Sequence, residues 1–182
     1  MRGCGFLEDS KAYFMLDFKF KYVEKCWQTK IVDELLELYH NSLNNTCSAY
    51  ITGSTGLGKS YIAKIITMRM NCYLTFEVNL CSTSYNLMSI YQKYRPTKEK
   101  PLVILYDEFD VIIDRIHHEN FNNKKFVYEF PKIYDKASYN VFMCETKKCI
   151  PNVIWIFTSN KPSQYINEID PSYLSYHRID KI

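Results

Sequence analysis

Glycine is scarce in this chain of 182 residues. Five occur, Gly3, Gly5, Gly53, Gly56 and Gly58, where average usage is roughly 7%. Three of the five fall between positions 53 and 58 and none follows, so the backbone demands something unusual there. Charge of one sign is also lacking: 23 Lys+Arg against 20 Asp+Glu leave a net +3, too little to point to nucleic acid or an anionic membrane unaided. No apolar run approaches the roughly 20 residues that span a bilayer. Glu8, Asp9 and Lys11 interrupt the N-terminus, so neither a signal nor a transit peptide is visible, and a soluble protein is expected. The seven cysteines form no C-x-x-C pair and no His-spaced zinc pattern, which favours free thiols in a reducing intracellular compartment over a disulfide or metal framework.

What is present is material for a core, with 47% hydrophobic and 16% aromatic residues. Phe18 to Tyr22 alternates aromatic and lysine with period two, the pattern of a half-buried strand; the same residues could stack on a nucleic acid. An amphipathic helix is expected from Ile31 to Leu43 after Thr29 as cap. The order then repeats: strand Ala49 to Thr52, helix Lys59 to Met70, strand Tyr73 to Val78, helix Ser84 to Tyr94. Leu102 to Tyr106 and Val153 to Phe157 are continuous apolar runs suited to parallel strands buried on both faces. Helices from Glu108 to His118 and Lys132 to Cys144 lie between them, separated by a polar loop, Glu119 to Lys125. Alternating strands and helices imply a parallel α/β sheet.

Gly53-Ser54-Thr55-Gly56-Leu57-Gly58-Lys59-Ser60 fits G-x-x-x-x-G-K-[ST] at every fixed position, between an expected strand and the helix expected from Lys59, with Tyr61 counted among the nucleotide-binding residues. The glycines let consecutive N–H groups face one concavity, and the helix start adds its positive dipole end. Lys59 would place a charge on the β and γ phosphates of a nucleotide, and Ser60 would ligate Mg²⁺. Asp107 and Glu108 follow an apolar strand directly, where the carboxyl end of a parallel strand opens to the ligand crevice. They suit two tasks, Asp107 in the Mg²⁺ shell and Glu108 orienting and deprotonating water. Alone, the same pair is a favourable charge arrangement at a helix start. Thr158-Ser159-Asn160 ends the last strand, where Asn160 either reaches a γ phosphate or caps the turn before Pro162.

The order of phosphate loop, Asp-Glu strand and Thr-Ser-Asn strand, then Ile169 to Leu174 and Arg178-Ile179-Asp180, resembles the AAA+ ATPases. The last segment is similar to the second region of homology of the AAA clade, Leu-Asp-Pro-Ala-Leu-(Leu)-Arg-Pro-Gly-Arg-(Phe/Ile)-Asp. Asp170, Pro171, Leu174, Arg178, Ile179 and Asp180 agree; Ser175 stands at the first arginine and His177 at the glycine. The resemblance implies that Arg178 is a finger reaching the γ phosphate of a neighbouring subunit in a homo-oligomeric ring, and that hydrolysis is coupled to remodelling of a protein complex. Tyr73 to Leu80 with the helix after it is similar to the Rieske-protein-translocase type and to ATPases of large DNA viruses, and Asp135 to Asn140 strengthens the viral comparison. The aromatic-apolar-Gly pore loop of protein-threading relatives is not found; Cys81 to Met88 offers only Tyr85.

The expectation is therefore an α/β P-loop NTPase, three layers α/β/α around a parallel sheet. Residues 1–44 would lead into a core at 45–182 with no complete C-terminal helical lid, the expectation being either a fragment of a longer protein or a shortened one whose nucleotide site is open on one side. The site would comprise Gly53 to Tyr61 for nucleotide, Ser60 and Asp107 for Mg²⁺, and Lys59, Glu108, Asn160 and Arg178 for hydrolysis of ATP. Two rivals stand beside it, a superfamily-three-like viral helicase and a nucleotide-binding assembly module without turnover.

Overall fold

The computed structural model describes residues 13–14, 23–76, 80, 87–118 and 133–182. Strands β1 (Tyr13–Phe14), β2 (Thr46–Thr52), β3 (Tyr73–Thr75), β4 (Leu102–Tyr106) and β5 (Val153–Ser159) form one sheet in the order β1-β3-β4-β5-β2. β1 pairs antiparallel with β3, and the other four strands run parallel. Helices α1 (Cys26–Asn41) and α2 (Tyr61–Met70) cover one face. On the other lie α3 (Leu87–Tyr94), α4 (Phe109–His118), α5 (Lys136–Cys149), α6 (Ser163–Ile169) and a 3-10 turn at Pro171–Leu174.

The central strands show why the sheet needs both layers. In β5, Val153, Trp155 and Phe157 face one cluster while Ile154 and Ile156 face the other, and all are buried. In β4, Leu102, Ile104 and Tyr106 alternate likewise with Val103 and Leu105. Such runs have no solvent face, so they form only between two helical layers. Tyr106 stacks between Trp155 and Phe157, with ring planes 4° and 7° from parallel.

The three-layer α/β/α expectation holds, with displaced ends. α1 begins at Cys26 rather than after Thr29, because the Gln28 side chain accepts the Lys25 N–H at 3.0 Å and caps the helix a turn earlier. α5 begins at Lys136, where Asp135 accepts the Ser138 N–H at 2.8 Å and Ser138 Oγ accepts the Asp135 N–H at 2.9 Å, a reciprocal cap. It runs past Cys144 to Cys149 because Tyr139, Phe142, Met143 and Thr146 continue its buried stripe. β2 begins at Thr46, earlier than Ala49, since its full length pairs with β5. The strand expected at Phe18 to Tyr22, the loop Glu119 to Lys125, Tyr85 and residues 77–79 lie outside the described residues.

Beyond the 3-10 turn the chain returns to the free edge of β2. Lys181 pairs in parallel with Ala49, and the Tyr50 N–H donates to Lys181 O at 2.9 Å. Asp180 holds this return: its Oδ2 accepts the Ser48 N–H at 2.8 Å, and Lys147, 12% exposed, donates to both of its carboxylate oxygens at 2.8 Å. Cys26, Cys47, Cys72, Cys144 and Cys149 are free thiols. Burial pushes Cys47 above the usual thiol range and Cys72 up to about 12, so neither is a reactive thiolate. Among the described residues no helix is long and apolar enough to cross a membrane.

Candidate active site

At the carboxyl end of β2 the chain turns through the glycine-rich segment into α2. Gly56 and Gly58 adopt φ of +80° and +92°, backbone that side chains resist, and a Cβ on Gly56 would meet open space, so conformation rather than crowding demands glycine there. The N–H groups of Gly56, Gly58, Lys59 and Ser60 donate to no carbonyl among the described residues. N–H groups at a helix start without internal partners among the described residues make a concavity of the kind that suits an anion. α2 begins at Tyr61 with Ser60 at its N-cap.

Lys59 is 8% exposed. Its ammonium donates to Gly53 O at 2.8 Å, Ser54 O at 3.0 Å and Asn160 Oδ1 at 2.9 Å. Sheet order explains the last contact. β5 lies between β2 and β4, with Thr52 opposite Ser159 and Tyr106 opposite Phe157, so the residues ending β5 sit between the phosphate loop and the acids that follow β4. Asn160 thus points to the loop, and the alternative in which it only caps the turn before Pro162 does not describe its side chain. Ser159 Oγ does that work instead, accepting the Lys161 N–H at 2.9 Å.

Asp107 accepts hydrogen bonds from Ser60 Oγ at 2.9 and 3.0 Å and from Thr158 Oγ1. Glu108 is exposed, with φ of +53°, rare for a non-glycine residue. Its carbonyl accepts the Val111 N–H at 3.0 Å and opens α4, while its carboxyl remains at the rim. A cleft of about 280 Å³ collects Lys59, Ser60, Asp107, Glu108, Thr158 and Asn160 around the loop. Beneath it, the buried Asp110 accepts from Ser159 Oγ at 2.7 Å. Burial raises the Tyr50 phenol above its ordinary range, against the hydrogen bond with Ser159.

Arg178 does not line this cleft. Its guanidinium donates to Ser172 O and, at 2.6 Å, to Ser175 Oγ, so the serine at the position of the missing arginine holds the remaining one. Sequence reasoning missed the roles of Thr158, Gln28 and Asp110. Thr158 lay within a segment already singled out; a single glutamine on a helix carries no such signal.

The composition of the cleft suits Mg²⁺ and a polyphosphate. Ser60, Asp107 and Thr158 supply hard oxygen donors of the kind that ion prefers, and the concavity supplies N–H groups with no carbonyl partner among the described residues. The family model described as ATPase family associated with various cellular activities (AAA) matches residues 49–182. No curated protein matches the sequence. A match over most of the chain agrees with the order of strands, loop and acids, and the protein belongs to the AAA family of ATPases.

Proposed function

We propose that this chain binds Mg·ATP at Gly53 to Tyr61 and hydrolyses its β–γ phosphoanhydride. The observation that carries the reading is convergence: Lys59, Ser60, Asp107, Glu108 and Asn160, from three separate strand ends, line one cleft. Ser60 and Asp107 would hold Mg²⁺, which supplies neutralisation of charge on the β and γ phosphates. The N–H groups of Gly56, Gly58, Lys59 and Ser60 bind phosphate oxygens, and the Lys59 ammonium exchanges its carbonyl partners for them. Glu108, exposed at the rim, accepts a proton from attacking water, and Asn160 orients that water or the γ phosphate. Arg178 from an adjacent subunit of a homo-oligomeric ring would complete the charge stabilisation, and the energy would remodel a protein complex; both points rest on family resemblance.

Calorimetric titration with Mg·ATP and measurement of phosphate release test the reading. The wild-type chain binds and turns over, whereas Lys59→Ala loses binding. Unchanged affinity in that variant overturns the assignment. A second reading, a nucleotide-binding assembly module without turnover, draws on one observation: the Arg178 guanidinium is held by its own chain. Phosphate release no faster than that of Lys59→Ala would favour it.

A further inference from the structure

The geometry points to Gln28, outside the stretch shared with the family, as a positioning residue that fixes the direction of the phosphate-binding N–H groups. Gln28 is completely buried, and its Nε2 donates to Gly58 O at 2.8 Å across 30 residues. Its Oε1 accepts the Lys25 N–H at 3.0 Å, so both ends of the amide are used and its orientation is set. Lys25 adds a second tie, its ammonium donating to Leu57 O at 3.2 Å. The N-terminus of α1 therefore grips two consecutive carbonyls of the phosphate loop.

A trans peptide is planar, with C=O of one residue and N–H of the next pointing in opposite directions. Anchoring Leu57 O turns the Gly58 N–H away from α1, and anchoring Gly58 O does the same for the Lys59 N–H. These two N–H groups belong to the concavity described above. The glycines that permit the loop's curl also permit other peptide orientations, and donors behind the loop select one of them. The Tyr61 N–H also donates to Gly58 O at 3.2 Å, but it lies on α2 and moves with the loop, whereas Gln28 refers the loop to a separate helix. Gln28 touches no reacting atom in this arrangement, so it acts on phosphate affinity and leaves the chemical step alone.

The inference rests on the nucleotide-binding reading, and the test separates the two. Affinity for Mg·ADP is measured by calorimetry across mildly acidic to neutral pH for wild type, Gln28→Met and Gln28→Glu, with a melting curve for each. Gln28→Met keeps the length of the side chain and loses both the donor to Gly58 O and the acceptor for the Lys25 N–H; affinity falls about tenfold at every pH, the size expected when a half-buried carbonyl loses one of its two partners. Gln28→Glu presents a carboxylate to Gly58 O at neutral pH and weakens binding at least as much. Protonation restores a donor to Gly58 O while the other oxygen keeps the Lys25 N–H, so affinity recovers towards wild type as pH falls. Burial raises the pKa of such a carboxyl and brings that recovery into the mildly acidic range. In turnover, KM rises and kcat is preserved. Wild type that fails to bind Mg·ADP removes the nucleotide reading itself. Wild type that binds, with both variants binding equally well or melting lower at unchanged affinity, overturns the role of Gln28 alone. Should Gln28→Met not fold, the pH recovery of Gln28→Glu decides, and its absence counts against the proposal.

Discussion

Asn160 Oδ1 accepts a hydrogen bond from the Lys59 ammonium at 2.9 Å, joining residues 101 apart in sequence. The bond connects the strand beside the acids to the phosphate loop, and the same ammonium also holds Gly53 O and Ser54 O. Binding a phosphate requires Lys59 to redistribute among these acceptors. Asn160→Asp converts a neutral acceptor into a charged one, and charge-assisted hydrogen bonds are roughly twice as strong. It also sets a negative charge where a γ phosphate would lie. ATP affinity by calorimetry should fall by about tenfold or more, equivalent to roughly 1.4 kcal/mol, while Asn160→Ala should bind ATP nearly normally and release phosphate about a hundredfold more slowly. Equal affinities for Asn160→Asp and wild type would show that the contact does not compete with phosphate.

Glu108 combines a left-handed backbone with an exposed carboxylate. A non-glycine residue in that region carries roughly 1–2 kcal/mol of strain, retained where the side chain has a use. Two substitutions separate backbone from side chain. Glu108→Gln keeps the strain and removes the proposed base: ATP binding should persist, turnover should stop and stability by denaturant titration should be unchanged. Glu108→Gly removes both: turnover again stops, and unfolding free energy rises by about 1 kcal/mol. Normal phosphate release from Glu108→Gln would exclude this carboxylate as the base, and a Glu108→Gly protein less stable than Glu108→Gln would exclude the strain.

The parts legible in sequence are those written in consecutive residues. Gly53 to Ser60 announces its own curl, and Leu102 to Tyr106 and Val153 to Phe157 announce burial on both faces. Asp107, Glu108 and Asn160 gain meaning by following those strands. Hidden were contacts in which one side chain reaches a distant backbone. Gln28 on Gly58 O spans 30 residues and has no spacing signature. The Asp180 clamp on Ser48 is equally silent, because it depends on the chain returning to the edge of β2. Helix ends shifted for a related reason: Thr29 has the right chemistry for a cap, but its hydroxyl bonds Glu24 and the Lys25 carbonyl while Gln28 takes the N–H.

Arg178 is held by Ser172 O and Ser175 Oγ, and its buried Nε has no hydrogen-bond partner among the described residues. If it serves a neighbouring active site, it must leave these partners, so its substitution should have two separable effects. Arg178→Ala alone should lose about 1–2 kcal/mol of stability through the lost bonds. Mixed with wild type in increasing proportion, it should depress ATPase activity more steeply than its mole fraction, since each missing arginine silences a neighbour. Strictly proportional loss would assign Arg178 to the structure of its own segment.

Asp170 caps the 3-10 turn through the Ser172 N–H at 2.8 Å and pairs with the Lys136 ammonium, tying the segment before Arg178 to the start of α5. The bond from Lys136, then those from Ser172, hold its carboxyl down to about 2. A carboxylate favoured by folding contributes its stability above its unfolded pKa near 4 and loses it as pH falls through the folded value. The Lys136 side chain is 45% exposed, so solvent reduces the contribution to about 1 kcal/mol. Asp170→Asn keeps an acceptor for the Ser172 N–H but cannot ionise. Its unfolding free energy should lie below wild type by that amount at neutral pH, and the gap should close between about pH 4 and pH 2. Denaturant titrations across that range decide it: a gap that persists at the acid end assigns the loss to the cap geometry, and no gap at neutral pH removes Lys136 as a stabilising partner.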